Sequence, residues 1–159
     1  MPSLRIIESS DGPPGDAFSG IEASLIKLLE SPDDSGAVDS VDAALSYAVR
    51  LRATDVYFEP WDDCCALRYR IDGILHDVAK LPKAHHARIV ARVKILARMI
   101  TYQRDTPQDG RIDADATPCA RVITVSAFPT VSGERMVLRI MDGAGVWIDL
   151  GALGFDAGL

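Results

Sequence analysis

The sequence predicts an α+β fold in which an antiparallel sheet carries helices packed on one face. Two observations predict it. Helical periodicity is confined to a few segments, whereas much of the remaining chain consists of short runs in which apolar and polar residues alternate. The dipeptide Asp72-Gly73 stands between two such runs and tolerates the positive φ angles of a tight hairpin turn. Strands joined by such a turn pair antiparallel.

The N-terminal part is expected to be an arm. Residues 1–20 contain few large apolar residues, and residues 21–30 have the pattern of a short amphipathic helix. The run 31–36 combines Ser, Pro, Asp and Gly, which break a helix. We therefore expect a flexible acidic arm over residues 1–36, with one short helix, and a compact part that begins near Ala37.

Two further helices are predicted. The first begins at Asp39 or Ser40, either of which can cap it. The second covers about residues 83–100, with an apolar arc of about 120° and bases on the remaining surface. From Lys80 to Arg104 there are seven bases and no acid, which is typical either of a solvated helix face or of a surface for phosphate or an acidic partner. The arc consists of Ile89, Val90, Val93, Leu96, Ala97 and Ile100, and the bases outside it are Arg88, Arg92, Lys94 and Arg98.

The strand candidates carry arginines on their polar faces. Alternation places Arg68, Arg70 and Arg139 opposite the apolar residues of their strands. A planar guanidinium binds the oxygens of a phosphate, or of a partner's carboxylate, through two parallel hydrogen bonds, although many exposed strand arginines are only solvated. The predicted strands cover about residues 55–59, 65–71, 74–78, 110–115, 119–127 and 134–141.

Composition describes an ordinary soluble protein of one domain. The chain has 159 residues, of which 48% are hydrophobic and 25% charged, and its net charge is −6. Residues 1–44 hold nine acids and two bases, whereas residues 45–159 hold fourteen acids and fifteen bases. A nearly neutral body argues against general nucleic-acid binding. No apolar run approaches the ~20 residues of a membrane span, and the N-terminus lacks a signal-peptide pattern.

Catalytic motifs are absent from the sequence. None of the twelve glycines is followed by lysine, so the chain has no G-x-x-x-x-G-K-[ST] loop to hold a triphosphate. The adjacent His85 and His86 point about 100° apart on a helix, which makes a poor metal site, and we expect them at the surface. The three cysteines have no spacing for a disulfide framework or a metal, and we interpret them as packing residues of a cytosolic protein.

Seven stretches together resemble one protein family, the secretion traffic ATPases, which drive type II secretion and type IV pilus assembly. The match covers about 120 of the 159 residues, in the order found in the family. Any one of the stretches alone would be a weak indication. They are RATDVYFEP (52–60), RYRIDGIL (68–75), ARVKILARM (91–99), PQDGRI (107–112), VSAFP (125–129), GERMVLRIMD (133–142) and LGALGF (150–155).

The resemblance implies a division of labour between two domains. Members of the family are cytoplasmic, hexameric ATPases that dock on an inner-membrane platform, and a C-terminal RecA-like motor domain binds ATP and Mg²⁺. The chain resembles the PAS-like domain that precedes this motor domain, contacts the motor domain of its own and neighbouring subunits, and does not itself enter the membrane or bind nucleic acid. We thus expect residues 37–149 to be the PAS-like domain and residues 150–159 to begin a linker to the motor domain.

The resemblance also implies which residues contact ATP. Family members offer two strand arginines to the phosphates, and Arg139 matches one of them. Thr124 stands where the other would be, and Arg121, three residues earlier, is expected to point to the opposite strand face. Arg70 and Arg111 are the candidates to replace it. The chain alone is expected to bind no cofactor tightly and to have no catalytic residue or metal site.

Two other functions remain open at this stage. The chain could be a stand-alone PAS-like module that binds a small ligand or a protein, which requires an internal apolar pocket. It could also be a hydrolase in its own right, although no residue recommends that interpretation. The sequence does not distinguish a role in protein secretion from one in pilus extension or DNA uptake.

Overall fold

Six strands form one antiparallel sheet beside three α-helices in residues 14–31 and 35–141, which are the residues that the computed structural model describes. The predicted α+β class is confirmed. In chain order the elements are α1 (Pro14–Leu29), α2 (Gly36–Arg50), β1 (Ala53–Pro60), β2 (Cys64–Ile71), β3 (Ile74–Pro82), α3 (His86–Leu96), β4 (Gln108–Ile112), β5 (Ile123–Thr130) and β6 (Gly133–Ile140). Short 3₁₀ turns occupy Lys83–His85 and Ala114–Ala116.

The sheet is built from two meanders that join at its centre. Its strand order is β3-β2-β1-β6-β5-β4, and every neighbouring pair is antiparallel. The strands β1 and β6, distant in sequence, are therefore direct neighbours. The helices lie against one face, where the Tyr69 hydroxyl donates a hydrogen bond of 2.7 Å to the Ala44 carbonyl of α2. This face carries the core, and alternate residues of each strand point to the opposite face.

Helix α1 differs from the expected arm. It begins at Pro14 rather than near residue 21, and it packs on α2 and β3. Residues Phe18, Ile21, Leu25 and Leu29 are all buried, at the spacing that forms one helical stripe. Burial of this stripe outweighs the helix-weakening Gly20 within it. Residues 14–29 therefore belong to the packed body, whereas residues 1–13 and 32–34 of the expected arm lie outside the described residues.

Helix α3 is shorter than predicted because of the way it ends. Arg98 has a φ of 57°, and the Met99 amide donates to the Lys94 carbonyl at 2.8 Å. A residue in the left-handed conformation thus ends the helix. Glycine usually occupies such a position, so the sequence did not indicate where this helix ends. Ile100, expected on the buried arc, instead follows the helix and is 45% exposed.

Lys94 is buried, although periodicity places it among the solvent-facing bases. Its ammonium group lies 2.5 Å from a carboxylate oxygen of Glu134 and donates to the Gln103 carbonyl at 2.7 Å. His86, also expected at the surface, is buried, and its Nε2–H donates to the Glu134 carbonyl at 2.9 Å. A buried lysine needs a partner of opposite charge, and Glu134 on β6 supplies it.

The segment before β4 is shaped by two residues of the stretch PQDGRI. The Gln108 side chain accepts from the Ile100 amide and donates to the carbonyls of Ile100 and Gln103, all within 3.1 Å. Gly110 lies so close to the end of α3 that a Cβ would stand 2.5 Å from the Ala97 carbonyl oxygen. Both residues thus fix the chain path between α3 and the sheet.

The cysteines Cys64 and Cys65 are buried and unbonded to each other. Burial raises the pKa of the Cys65 thiol to about 12, which keeps it protonated and unreactive at neutral pH. This agrees with their interpretation as packing residues.

Replacing Gly110 with alanine is predicted to destabilise the fold by about 3 kcal/mol, because the new methyl group meets a backbone carbonyl that cannot move cheaply. Gly73→Ala is the matched control, since Gly73 has open space around it and a φ of 81°. The free energy of unfolding is expected to fall by about 1 kcal/mol in Gly73→Ala, from backbone strain alone. Urea denaturation measures both values. A smaller loss at Gly110 than at Gly73 would contradict this account of the contact.

The buried His86 is predicted to make stability fall in mild acid. Burial lowers its pKa below the usual 6.5, so the unfolded chain takes up a proton in a pH range where the folded chain does not. The contribution of neutral His86 to the free energy of unfolding is complete above pH ~6.5. It is lost as the pH falls towards the folded-state pKa. Urea midpoints from pH 7 to pH 5 should therefore drop more steeply for the native chain than for His86→Gln. Parallel curves would show that His86 is not linked to folding in this way.

Candidate functional site

The sheet face opposite the core, here called the outer face, carries no helix among the described residues. On its central strand β1, Asp55, Tyr57 and Glu59 point to this face, while Val56 and Phe58 point into the core. All three outer residues are nevertheless buried. Arginine side chains from the strands on either side cover them.

Asp55 is enclosed by two arginines and a hydroxyl. Its Oδ1 accepts a hydrogen bond of 2.9 Å from Nε of Arg139 on β6. Its Oδ2 accepts from the Thr54 hydroxyl at 2.8 Å and lies 3.6 Å from Nε of Arg70 on β2. The carboxylate is 3% exposed, so these partners replace the water that it would otherwise bind.

Glu59 forms a second cluster of the same kind. Its carboxylate lies 2.8 Å from a terminal nitrogen of Arg135 and 3.2 Å from one of Arg68. Between the two acids, the Tyr57 ring has the guanidinium groups of Arg70 and Arg135 at 5.7 and 5.5 Å from its centre. Four arginines thus neutralise two buried carboxylates and cover one aromatic ring.

Three arginines lie in one line across the outer face, here called the arginine row. They are the candidate ATP contacts that the family resemblance implies, Arg70, Arg111 and Arg139. Arg70 pairs in register with Asp55, Asp55 with Arg139, Arg139 with Thr124, and Thr124 with Arg111. Since neighbouring strands are about 4.8 Å apart, Arg139 lies about 10 Å along the sheet from each of the other two arginines at the backbone. The row crosses five of the six strands.

Arg139 is more available to an anion than Arg70 is. Its side chain is 67% exposed, and its hydrogen bond to Asp55 uses Nε rather than the terminal nitrogens. That hydrogen bond raises the pKa of Arg139, so the guanidinium stays charged. By contrast, Arg70 already donates to the Tyr57 hydroxyl through two nitrogens and to the Gly73 carbonyl through a third. Arg111 is 65% exposed, with its Nε 3.6 Å from Asp113.

Thr124 occupies an exposed position between Arg139 and Arg111. An arginine there would complete an unbroken group of three on neighbouring strands. Arg121 does not replace it, because it precedes β5 and lines a different cavity of about 290 Å³ beside Arg52 and Asp72. Arg121 was expected on the opposite face of this strand, and that expectation is wrong, because the strand begins at Ile123.

The sequence did not indicate the role of Asp55 as the partner of Arg139. The two residues are 84 positions apart, and only the pairing of β1 with β6 brings them together. Strand alternation in β1 was the available indication, because it places Asp55, Tyr57 and Glu59 on one face opposite apolar residues. The partner strand could not be identified in the same way.

Comparisons with known proteins agree with the motifs. The family described as Type II/IV secretion system protein matches residues 30–158. Similar relatives include the type II secretion system protein HxcR of Pseudomonas aeruginosa, 37% identical over 83% of this chain and 28% of its own length. The type IV pilus assembly ATPase PilB of Myxococcus xanthus is 32% identical over 98% of this chain and 28% of its own. The type II secretion system ATPase E of Vibrio cholerae is 34% identical over 82% and 26%, respectively.

The chain spans about a quarter of the length of these curated relatives. Within the described residues, none of the helices is long and apolar enough to cross a membrane. Because the family match covers most of the sequence and the relatives exceed 30% identity, the chain belongs to the type II/IV secretion system protein family.

Proposed function

We propose that this chain is the subunit-contacting domain of a secretion or pilus-assembly ATPase and that it supplies arginines to ATP held by a motor domain. The observation that carries the proposal is the arginine row, in which Arg139 is exposed and held by a buried acid. Relatives in the family are named as ATPases of type IV pilus assembly and type II secretion.

The first step of the argument concerns charge. The row consists of three arginines, Arg70, Arg139 and Arg111, and two acids pair with them, namely Asp55 and Asp113. The net charge of the row and its acids is therefore positive, and it is directed outwards. Phosphate oxygens suit it because guanidinium groups bind them through paired hydrogen bonds.

The second step concerns what the row cannot do alone. Triphosphate binding in this type of enzyme needs a loop of backbone amides with a lysine, and no glycine in the sequence is followed by lysine. We therefore infer that the P-loop and Mg²⁺ site belong to a RecA-like motor domain, in the same polypeptide or in a neighbouring subunit of a hexamer. An arginine brought to such a site stabilises the charge that develops on the transferred phosphoryl group.

The proposed setting is the one that the family resemblance implies. The domain works in the cytoplasm, on an assembly at the inner membrane, and moves relative to the motor domain during ATP turnover. Its PAS-like sheet offers rigid strand positions for the arginines, which holds them more accurately than loops do.

Replacing Arg139 with alanine is predicted to lower ATP turnover by about 10³ in a fusion of this chain to the P-loop motor domain of a family member, because a transition-state contact is lost. Folding should be weakened much less than turnover, since Arg139 is largely exposed and Asp55 keeps Arg70 and Thr54. Steady-state ATP hydrolysis and urea denaturation measure the two effects.

The matched control for this experiment is Arg135→Ala. Arg135 lies on the same strand and face and also pairs with an acid of β1, but it is outside the row. Turnover should change little in this variant. If Arg139→Ala turns over ATP like the native fusion, or if both variants lose activity equally, the proposed role of the row is wrong.

Replacing Thr124 with arginine is predicted to raise turnover in the same fusion by about tenfold or more, because it adds a cation between Arg139 and Arg111. Thr124→Gln is the control, with a long polar side chain and no charge. Hydrolysis rates at saturating ATP separate the two variants. An arginine that leaves the rate at the glutamine value would indicate that this position does not face the nucleotide.

A further inference from the structure

We infer that Asp55 is a positioning residue, which holds the Arg139 guanidinium so that its terminal nitrogens face a bound phosphate. The inference rests on the proposed function, because it concerns how the arginine row is used. Three observations lead to it, namely the atoms that Asp55 binds, the different atoms that Glu59 binds, and the burial of the carboxylate.

The atoms involved at Asp55 leave the anion-binding end of Arg139 unused. Oδ1 accepts from Nε of Arg139, the nitrogen nearest the aliphatic stem. The two terminal nitrogens, which make the paired contacts to phosphate, are directed away from this hydrogen bond in the planar group. The side chain is also 67% exposed, so an approaching ligand can reach them.

Glu59 binds its arginines in the opposite manner. It contacts Arg135 and Arg68 through terminal nitrogens, at 2.8 and 3.2 Å. These are the atoms that would otherwise bind an anion. The two acids lie four residues apart on the same strand and face, yet one leaves its exposed arginine available and the other occupies its partners.

The Asp55 carboxylate is itself held in place. It is 3% exposed, and the Thr54 hydroxyl donates to Oδ2 at 2.8 Å. A long exposed arginine without such an anchor samples many rotamers, and ordering it on binding opposes association by about tenfold in the equilibrium constant. Because Asp55 already orders the Arg139 side chain, most of this entropic cost is absent when the ligand binds.

Nuclear magnetic resonance of the chain tests the contact directly. The Nε–H signal of Arg139, assigned by its loss in Arg139→Lys, should exchange slowly with water in the native chain and in Glu59→Gln. In Asp55→Asn the exchange should be about tenfold faster, because a neutral amide accepts more weakly than a carboxylate. Unchanged exchange in Asp55→Asn would overturn the inference.

A second variant covers the case in which Asp55→Asn does not fold. Thr54→Ala leaves the carboxylate present but removes the hydroxyl that fixes Oδ2. It should speed the same exchange in the same direction by a smaller factor. Exchange at the native rate in this variant would then count against the inference.

Turnover in the motor-domain fusion tests whether Asp55 acts through Arg139. Asp55→Asn should lower turnover by about tenfold, Glu59→Gln should not, and Asp55→Asn combined with Arg139→Ala should be no slower than Arg139→Ala alone. Multiplied losses in the double variant would show that Asp55 acts independently and is not a positioning residue for Arg139. If Arg139→Ala leaves turnover unchanged, the proposed function fails, while the exchange rate of Nε–H still decides the role of Asp55.

Discussion

Two carboxylates buried on the open face of the central strand set the arrangement of charge across this sheet. An ionised carboxylate removed from water without a partner destabilises a fold by several kcal/mol, so Asp55 and Glu59 each need cations within reach. The strands β2 and β6 flank β1 and supply them, as Arg70 and Arg139 for one acid and Arg68 and Arg135 for the other. The register of the sheet therefore has an electrostatic reason as well as an apolar one. A shift by one residue would bury these charges against core residues.

On the core side of the sheet, the described residues include another buried ion pair, between Lys94 and Glu134. This pair joins α3 to β6, and Lys94 also binds the Gln103 carbonyl in the segment that leads to β4. Strand β6 is thus tied on both faces, through Glu134 to the helix layer and through Arg139 and Arg135 to β1. Such double attachment gives the exposed arginine a strand whose position depends on the whole fold rather than on one hairpin.

Sequence patterns predicted the features that depend on local alternation and missed those that depend on distant partners. Period-two alternation correctly placed Arg70 and Arg139 on the polar face, and Asp72-Gly73 marked the β2–β3 turn, where Gly73 has a φ of 81°. The predicted end of α3 was wrong because an arginine, not a glycine, has the left-handed backbone conformation at residue 98. Lys94 was placed in solvent because its partner lies 40 residues away in sequence, on a strand that periodicity cannot pair with a helix.

The stretch PQDGRI shows why a family motif and a functional site are different things. Its glutamine holds the segment after α3, and its glycine allows that segment to pass within contact distance of Ala97. Its isoleucine is buried in the core, whereas Asp109 and Arg111 extend to the outer face, in register with Ser126 and Thr124. Most of the motif is therefore explained by chain path and packing, which any member with this fold must preserve. A match to the motif indicates the fold and the family, whereas a role in phosphate binding has to be argued for Arg111 alone.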